Sequence, residues 1–261
     1  MHRNELFSVA GKTCFVTGGA GGLGLAMAEV LAVNGASVTI ADIDEEALSR
    51  ETARFAERGL TVFSRQLNVK DSEDVEAAVN EAAQREGRLD ICIANAGGSA
   101  GPGFGLGVGI EDYPLETWQT GIDLNLTSAF VTLRSSARFM KKQASGRIIL
   151  VASGAAFRAR PNVGYGYVAG KSGLLNLVRQ AAVEMAPFGT TVNAIAPGPF
   201  KTNIGGGKLN DPEMVKKFTA FIPMKRLAEP SEIQGLALLL ASDASSFITG
   251  VTISIDGGST A

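Results

Sequence analysis

Three side chains in the second half of the chain have the types and spacing for proton transfer at an oxygen. Tyr167 and Lys171 lie four residues apart, and Ser153 precedes them at the end of an apolar run. On a helix an i, i+4 pair projects from one face with Cβ atoms roughly 5–6 Å apart, so an ammonium would stand beside a phenol. A free phenol ionises near ~10 and is a poor base at neutral pH. A neighbouring cation favours the phenolate, so the spacing predicts a depressed pKa for Tyr167. A serine hydroxyl arriving from the preceding strand could hold a substrate oxygen at the same place. Such a set acts on an alcohol or a carbonyl. Taken alone, the pair describes an ordinary half-buried helix face equally well.

A second signature lies near the start of the chain. Lys12-Thr-Cys-Phe-Val-Thr17 is a short β-branched apolar run that predicts a buried strand. Gly18-Gly-Ala-Gly-Gly22-Leu-Gly24 follows, and an amphipathic stretch from Leu25 to Asn34 closes at Gly35. Strand, glycine turn and helix in that order are the context of a dinucleotide site. Glycines admit backbone conformations that other residues avoid. They also let a phosphate reach the helix N-terminus, where free N–H groups and the dipole favour an anion. A plain flexible turn is the alternative. The next apolar run, Ser37-Val-Thr-Ile-Ala-Asp42, ends in an acid 18 residues beyond Gly24. A carboxylate there can accept hydrogen bonds from both ribose hydroxyls of NAD and repels a 2′-phosphate. Ile43 comes next, and the glycine turn holds no Lys or Arg. NAD is therefore expected rather than NADP, unless Asp42 merely opens the turn into a helix over 45–58, where Asp44 reads as the N-cap.

Apolar runs and amphipathic stretches alternate along the whole chain. Strands are expected at 12–17, 37–42, 60–66, 89–94, 147–152, 190–196 and 251–255. Helices are expected at 22–34, 45–58, 72–86, 113–141, 164–186 and 230–241. This alternation predicts an α/β fold, a doubly wound parallel seven-stranded sheet flanked by helices, in one domain over 1–261. Ligands of such sheets bind beyond the carboxyl ends of the strands, near the switch point. The motifs above fall at such ends or on the helix that follows.

Thr17-Gly18-x-x-x-Gly22-x-Gly24, Asn95-Ala96-Gly97, Ser153, Tyr167-x-x-x-Lys171 and Pro197-Gly198 resemble, in order, the motif set of the short-chain dehydrogenase/reductase family. The likeness runs from Lys12 to Gly258. It implies a Rossmann fold and a reversible NAD-dependent alcohol dehydrogenase. Tyr167 as phenolate takes the hydroxyl proton while Ser153 hydrogen-bonds the same oxygen, and hydride passes to the nicotinamide. Lys171 lowers the tyrosine pKa and binds the nicotinamide ribose; Asn125 holds a water in the proton path or, alternatively, is a satisfied core amide.

The resemblance also implies cofactor contacts at Gly18, Gly21, Gly22, Leu23 and Gly24, at Asp42 and Ile43, and at Asn68 and Val69. Others are implied at Asn95, Ala96 and Gly97, at Tyr167 and Lys171, and at Pro197, Gly198 and Thr202. For Asn95-Ala-Gly a purely structural turn is the competing role. Substrate is expected against Gly98, Ser153, Ala155, Tyr165, Tyr167 and Phe200, under a lid at about 199–226 that includes Ile204 and Met214. Asn68 departs from the family's usual aspartate, the interval from Ser153 to Tyr167 is one residue longer, and Gly170 replaces a small Ser or Ala and is expected to loosen its helix turn. The glycine-rich stretch 98–109 is longer than the common form and either shapes the pocket or forms a surface loop.

Composition bounds the alternatives. The 261 residues are 45 % hydrophobic, and 24 basic against 26 acidic residues give a net charge of −2. No basic cluster points to nucleic acid or an anionic membrane as partner. The longest apolar runs, such as 236–241, are too short to span a bilayer. Met1-His-Arg-Asn-Glu carries no apolar signal core, so a cytoplasmic location is expected. Cys14 and Cys92 read as small buried hydrophobes. With His2 as the one histidine there is no metal pattern, and proton transfer falls to Tyr, Lys, Ser or a carboxylate. The expected partner is a small alcohol or ketone: a polyol, sugar, hydroxysteroid or small secondary alcohol. Arg158 and Arg160 either recognise an anionic group or cap a surface. Family resemblance implies a homotetramer (or homodimer) built on the helices at 113–141 and 164–186 and the last strand. An NADPH-dependent 3-oxoacyl reductase and an idle NAD-binding regulator are the competing functions.

Overall fold

The computed structural model describes residues 3–98, 107–159, 163–202 and 212–261. The apolar runs become seven strands: β1 (Thr13–Thr17), β2 (Ser37–Asp42), β3 (Val62–Gln66), β4 (Ile91–Ala94), β5 (Gly146–Val151), β6 (Thr190–Pro197) and β7 (Thr252–Ile255). They form one parallel sheet in the order β3-β2-β1-β4-β5-β6-β7. All residues of β1, β4 and β6 are buried, as expected where helices cover both faces of a parallel sheet.

The helices are α1 (Arg3–Leu6), α2 (Gly22–Val33), α3 (Glu45–Glu57), α4 (Ser72–Glu86), α5 (Leu115–Ile122), α6 (Ser128–Gln143), α7 (Tyr165–Met185), α8 (Pro212–Ala220) and α9 (Gln234–Ala241). On one face α2, α3 and α9 bury Met27, Leu31, Phe55 and Leu240 against the sheet. On the other, α4, α6 and α7 bury Val79, Met140, Leu174 and Val178. Winding reverses at β1, which pairs with both β2 and β4, and this opens the switch-point crevice at the carboxyl ends. Cys14 and Cys92 are buried free thiols on opposite faces, and burial pushes the Cys92 thiol up to about 12.

The helix expected over 113–141 is broken. α5 passes into a five-residue π turn, Asp123–Thr127, before α6 begins. The break lies where α7 comes very close. A Cβ on Gly121 would be 2.8 Å from the Gly166 backbone, and one on Gly166 would be 2.6 Å from the Trp118 carbonyl oxygen. A Cβ on Gly170 would stand 3.0 Å from Asn125 Cβ. Gly170 therefore tightens this contact rather than loosening its helix. Two further differences are local. The helix expected over 230–241 starts as a 3-10 turn, Pro230–Ile233, and α8 forms inside the expected lid. Arg160, Ile204, the triple glycine 205–207 and most of 98–109 lie outside the described residues.

Candidate active site

The site is assembled from the carboxyl ends of β1 to β6. After β1, Gly18 and Gly22 take left-handed φ values of 63° and 52°. The inner side of the turn is closely packed. A Cβ on Gly18 would be 2.8 Å from Asn95 Nδ2, one on Gly19 would be 2.8 Å from Ile40 Cβ, and one on Gly24 would run into the Gly18 carbonyl oxygen. The outer side is open, since a Cβ on Gly21 would meet nothing within 4 Å. Gly21 is the N-cap of α2, with no side-chain cap and no acid in the first turn. Gly19 and Ala20 spend their N–H groups on Ala41 and Asp42, so what the turn leaves for an anion is the uncapped start of α2, which fits a dinucleotide pyrophosphate.

Neighbouring strand ends hold the cradle in shape. Asp42 accepts the Ala20 N–H at 3.1 Å through one oxygen and the Asp44 N–H at 3.3 Å through the other. Asn95 donates from its amide to the carbonyl oxygens of Thr17 (3.1 Å) and Gly18 (3.0 Å). Thr17 Oγ1 in turn accepts the N–H groups of Asn95 and Ala96, both at 3.1 Å. Asn95 is therefore a clamp between two strand ends. Thr17 is a site residue beyond those expected; its signal is its place at the head of the glycine motif, closing β1. Asn68 is exposed, and its amide oxygen accepts the Lys70 N–H at 3.1 Å. Thr202 lies over the turn, its Cγ2 3.5 Å from where a Gly22 Cβ would be.

The proton-transfer residues come from β5 and α7. Ser153, just beyond β5, accepts the Ala155 N–H at 3.1 Å, and its hydroxyl stands close enough to the Tyr167 phenol to lower its pKa. Lys171 is 4 % exposed, and its Nζ donates to the Val151 carbonyl oxygen at 2.7 Å while lying 6.0 Å from the centre of the Tyr167 ring. The expected depression of the Tyr167 pKa does not appear. Burial raises it, and the Ser153 hydrogen bond only partly offsets that rise. The perturbed neighbour is Lys171, which burial lowers to about 8. Removing water from a phenolate costs more here than the Ser153 hydroxyl returns, and the Lys171 ammonium is aimed at a carbonyl instead.

Asn125 sits in the π turn, fully buried. Its amide oxygen accepts the Gly98 N–H at 3.0 Å, and its nitrogen donates to the carbonyl oxygens of Gly98 (3.1 Å) and Gly121 (2.9 Å). It clasps the chain after β4 to α5. Gly97 threads between Asn125 and Lys171; a Cβ there would be 2.8 Å from the amide oxygen and 2.9 Å from Nζ.

The substrate side is built less as expected. Ala155 is buried, and Tyr165 is exposed and stands edge-on to Tyr113, with ring centroids 4.9 Å apart. Phe200, expected on the pocket wall, is 3 % exposed and belongs to the core cluster beneath α2. Its backbone bridges to Ala228 instead, fixing the start of the lid. Met214 on α8 is half-buried. Arg158 spends a guanidinium N–H on the Ser259 carbonyl oxygen at 3.3 Å.

A parallel sheet with this crevice, a glycine cradle and a Ser–Tyr–Lys set define a nucleotide-dependent oxidoreductase of the Rossmann class. The chain belongs to the short-chain dehydrogenase/reductase family: a family model described as enoyl-(acyl carrier protein) reductase matches residues 18–260. The chain is 34 % identical to sorbose reductase SOU1 of Candida albicans, across 98 % of this chain and 89 % of that protein. It is 36 % identical to trans-4-hydroxycyclohexanecarboxylate dehydrogenase of Sinomonas cyclohexanicum, across 97 % and 94 %. Among solved structures, a gluconate 5-dehydrogenase of Burkholderia cenocepacia in complex with NADP and tartrate superposes with a TM-score of 0.89 at 30 % identity, covering 99 % of both chains. The protein is an oxidoreductase of alcohol and ketone substrates. Among the described residues, no helix is long and apolar enough to cross a membrane.

Proposed function

We propose that this chain interconverts a secondary alcohol and its ketone with NAD as the redox partner and Tyr167 as the acid–base group. The observation that carries the reading is the Ser153 hydroxyl close to the Tyr167 phenol, with Lys171 beside the ring and the start of α2 uncapped. A bound nicotinamide dinucleotide supplies the hydride acceptor or donor. Ser153 and Tyr167 hold the substrate oxygen from two sides. Tyr167 is a protonated phenol at neutral pH, ready to give its proton to a ketone oxygen; in the other direction it takes the alcohol proton once ionised. Lys171, at about 8, exchanges protons near neutral pH and suits a relay behind the phenol. Asn125, held beside it, completes that path.

Asp42 supports NAD. Each of its oxygens accepts one backbone N–H, which leaves lone pairs for ribose hydroxyls and a charge opposing a 2′-phosphate. Val69 and Ile43 border the adenine side in this reading, Leu23 the pyrophosphate turn, and Pro197, Gly198 and Thr202 the nicotinamide side. The second reading, an NADPH-dependent ketone reductase, draws support from the solved relative that holds NADP. The relatives' names point to a sugar, polyol or cyclic alcohol as substrate. Exposed Leu115, Phe130, Val183 and Phe247 support self-association as a homotetramer or homodimer.

Tyr167→Phe tests the assignment. Turnover should fall by about 10²–10⁴-fold, with nucleotide affinity within about twofold by calorimetry. Because burial raises the Tyr167 pKa, oxidation by the wild type should still be rising with pH above neutrality, while reduction stays level until the phenol begins to ionise. Near-normal turnover by the variant would remove Tyr167 as the proton carrier.

A further inference from the structure

The residues after β7 have no part in the site so far, yet they touch three pieces of it. Asp256 directly follows the last residue of β7. Its carboxylate accepts hydrogen bonds from the Gly258 N–H (2.9 Å), the Ser259 hydroxyl (3.2 Å) and the Thr260 hydroxyl (2.6 Å). The chain therefore folds back on itself in a knot over 256–260. Gly257 and Gly258 supply the left-handed φ values, 63° and 86°, that this path requires.

Each side of the knot meets a different part of the site. A Cβ on Gly257 would be 2.8 Å from Ile222 Cγ2, and the Met224 N–H donates to the Gly257 carbonyl oxygen at 3.2 Å. This side packs on 222–224, the stretch after α8. A Cβ on Gly198 would be 2.7 Å from Asp256 Cα, so the knot also fills the space over the Pro197-Gly198 turn. On the third side, Thr260 Cγ2 lies 3.5 Å from where a Gly154 Cβ would sit, and Arg158 donates to the carbonyl oxygen of buried Ser259. Gly154 is the covalent neighbour of Ser153.

We propose that Asp256 is a positioning residue for Ser153: it ties the C-terminal knot that props the 153–158 turn and so fixes the serine hydroxyl against Tyr167. This rests on the role given to Ser153 above. The carboxylate suits the task. Burial would raise its pKa, but the hydrogen bonds from Thr260, Gly258 and Ser259 outweigh burial and hold it below the ordinary value. It stays charged, and the tie stays closed, at every pH where Tyr167 works.

The test is a double-mutant cycle of Asp256→Ala with Ser153→Ala, read in kcat/KM and, independently of turnover, in hydrogen exchange of the 153–158 amides. Asp256→Ala should lower kcat about tenfold or more, as a misplaced reacting group does, with nucleotide affinity within about twofold. It should also raise the pH of half-maximal oxidation, because the hydrogen bond that lowers Tyr167 is weakened. In the Ser153→Ala background the same change should cost less than about twofold, since coupled residues do not add. Exchange should quicken at 153–158 and 222–224 but not in β1 or β4. Equal losses in both backgrounds, or exchange that rises evenly through the sheet, overturn the proposal. Should Asp256→Ala fail to fold, Thr260→Val keeps the methyl against Gly154, removes one tie and gives the same pattern at smaller amplitude; unchanged exchange at 153–158 in it overturns the proposal as well. A wild type without turnover would sink the functional reading, while the exchange arm still decides whether Asp256 holds the serine turn.

Discussion

Three helix starts follow β1, β2 and β3 along one edge of the sheet, and they treat the same problem in opposite ways. Every α-helix begins with N–H groups that lack a partner within the helix. α3 answers with Asp44, which accepts the Ala47 N–H at 2.9 Å, and adds Glu45 and Glu46 in its first turn. α4 answers with Asp71, which accepts the N–H groups of Glu73 and Asp74, both at 3.1 Å, and carries both acids in its first turn. α2 starts on Gly21, uncapped and without an acid. Two helices satisfy themselves, and the third leaves its start uncapped, where we propose that the dinucleotide phosphate docks. One repeat thus caps itself in two places and stays open in the third.

The comparison breaks most sharply at Gly21. Its backbone is extended, with φ −162° and ψ 171°, and a Cβ meets nothing, so Gly21→Asp should fold and turn α2 into a copy of α3. The new cap should stabilise by about 1 kcal/mol. It should also expel the pyrophosphate and weaken nucleotide binding about 100-fold or more, equivalent to about 3 kcal/mol, in calorimetry. Undiminished affinity would mean that the bare helix end is not the phosphate site.

Charge sharpens the same contrast. Buried Asp90 is paired with Arg88, whereas buried Lys171 has a backbone carbonyl as partner. The folded pKa of Lys171, about 8, lies below the ordinary 10.5. Between these values the unfolded chain binds more protons than the folded one, so this group's contribution to stability rises with pH across 8 to 10.5 and is lost below 8. Lys171→Met should therefore raise stability at pH 7 by up to about 3 kcal/mol, and the gain should shrink as pH climbs through that window. Thermal melts at pH 7 and pH 10 measure it. A gain of the same size at both would deny the cost of a buried charge. The smallest effect belongs to α3: Asp44→Ala should cost about 1 kcal/mol in denaturant unfolding and leave nucleotide affinity within about twofold.

What the sequence disclosed follows from how local each feature is. β1, β4 and β6 are buried throughout and read directly as apolar runs. The Asp44 cap is fixed by residues three apart. The broken helix at 123–127 was hidden, because its apolar pattern runs on and the cause lies in Gly121 meeting Gly166 from a distant helix. Phe200 has the type of a pocket wall, and only the return of the chain at Ala228 buries it. The electrostatics of Tyr167 are non-local for a similar reason. Spacing gives the distance between phenol and ammonium, but burial, set by the whole fold, raises the one and lowers the other.

The most direct measurement follows absorbance at the reduced-nicotinamide band while wild-type protein is mixed with NAD, or with NADP, and a panel of polyols, sugar acids and cyclic secondary alcohols. The expected result is growth of the band with NAD for at least one alcohol, slower growth with NADP, and none for Tyr167→Phe. No change with either nucleotide for any alcohol, together with no loss of NADH against the matching ketones, would contradict an alcohol–ketone redox site in this crevice.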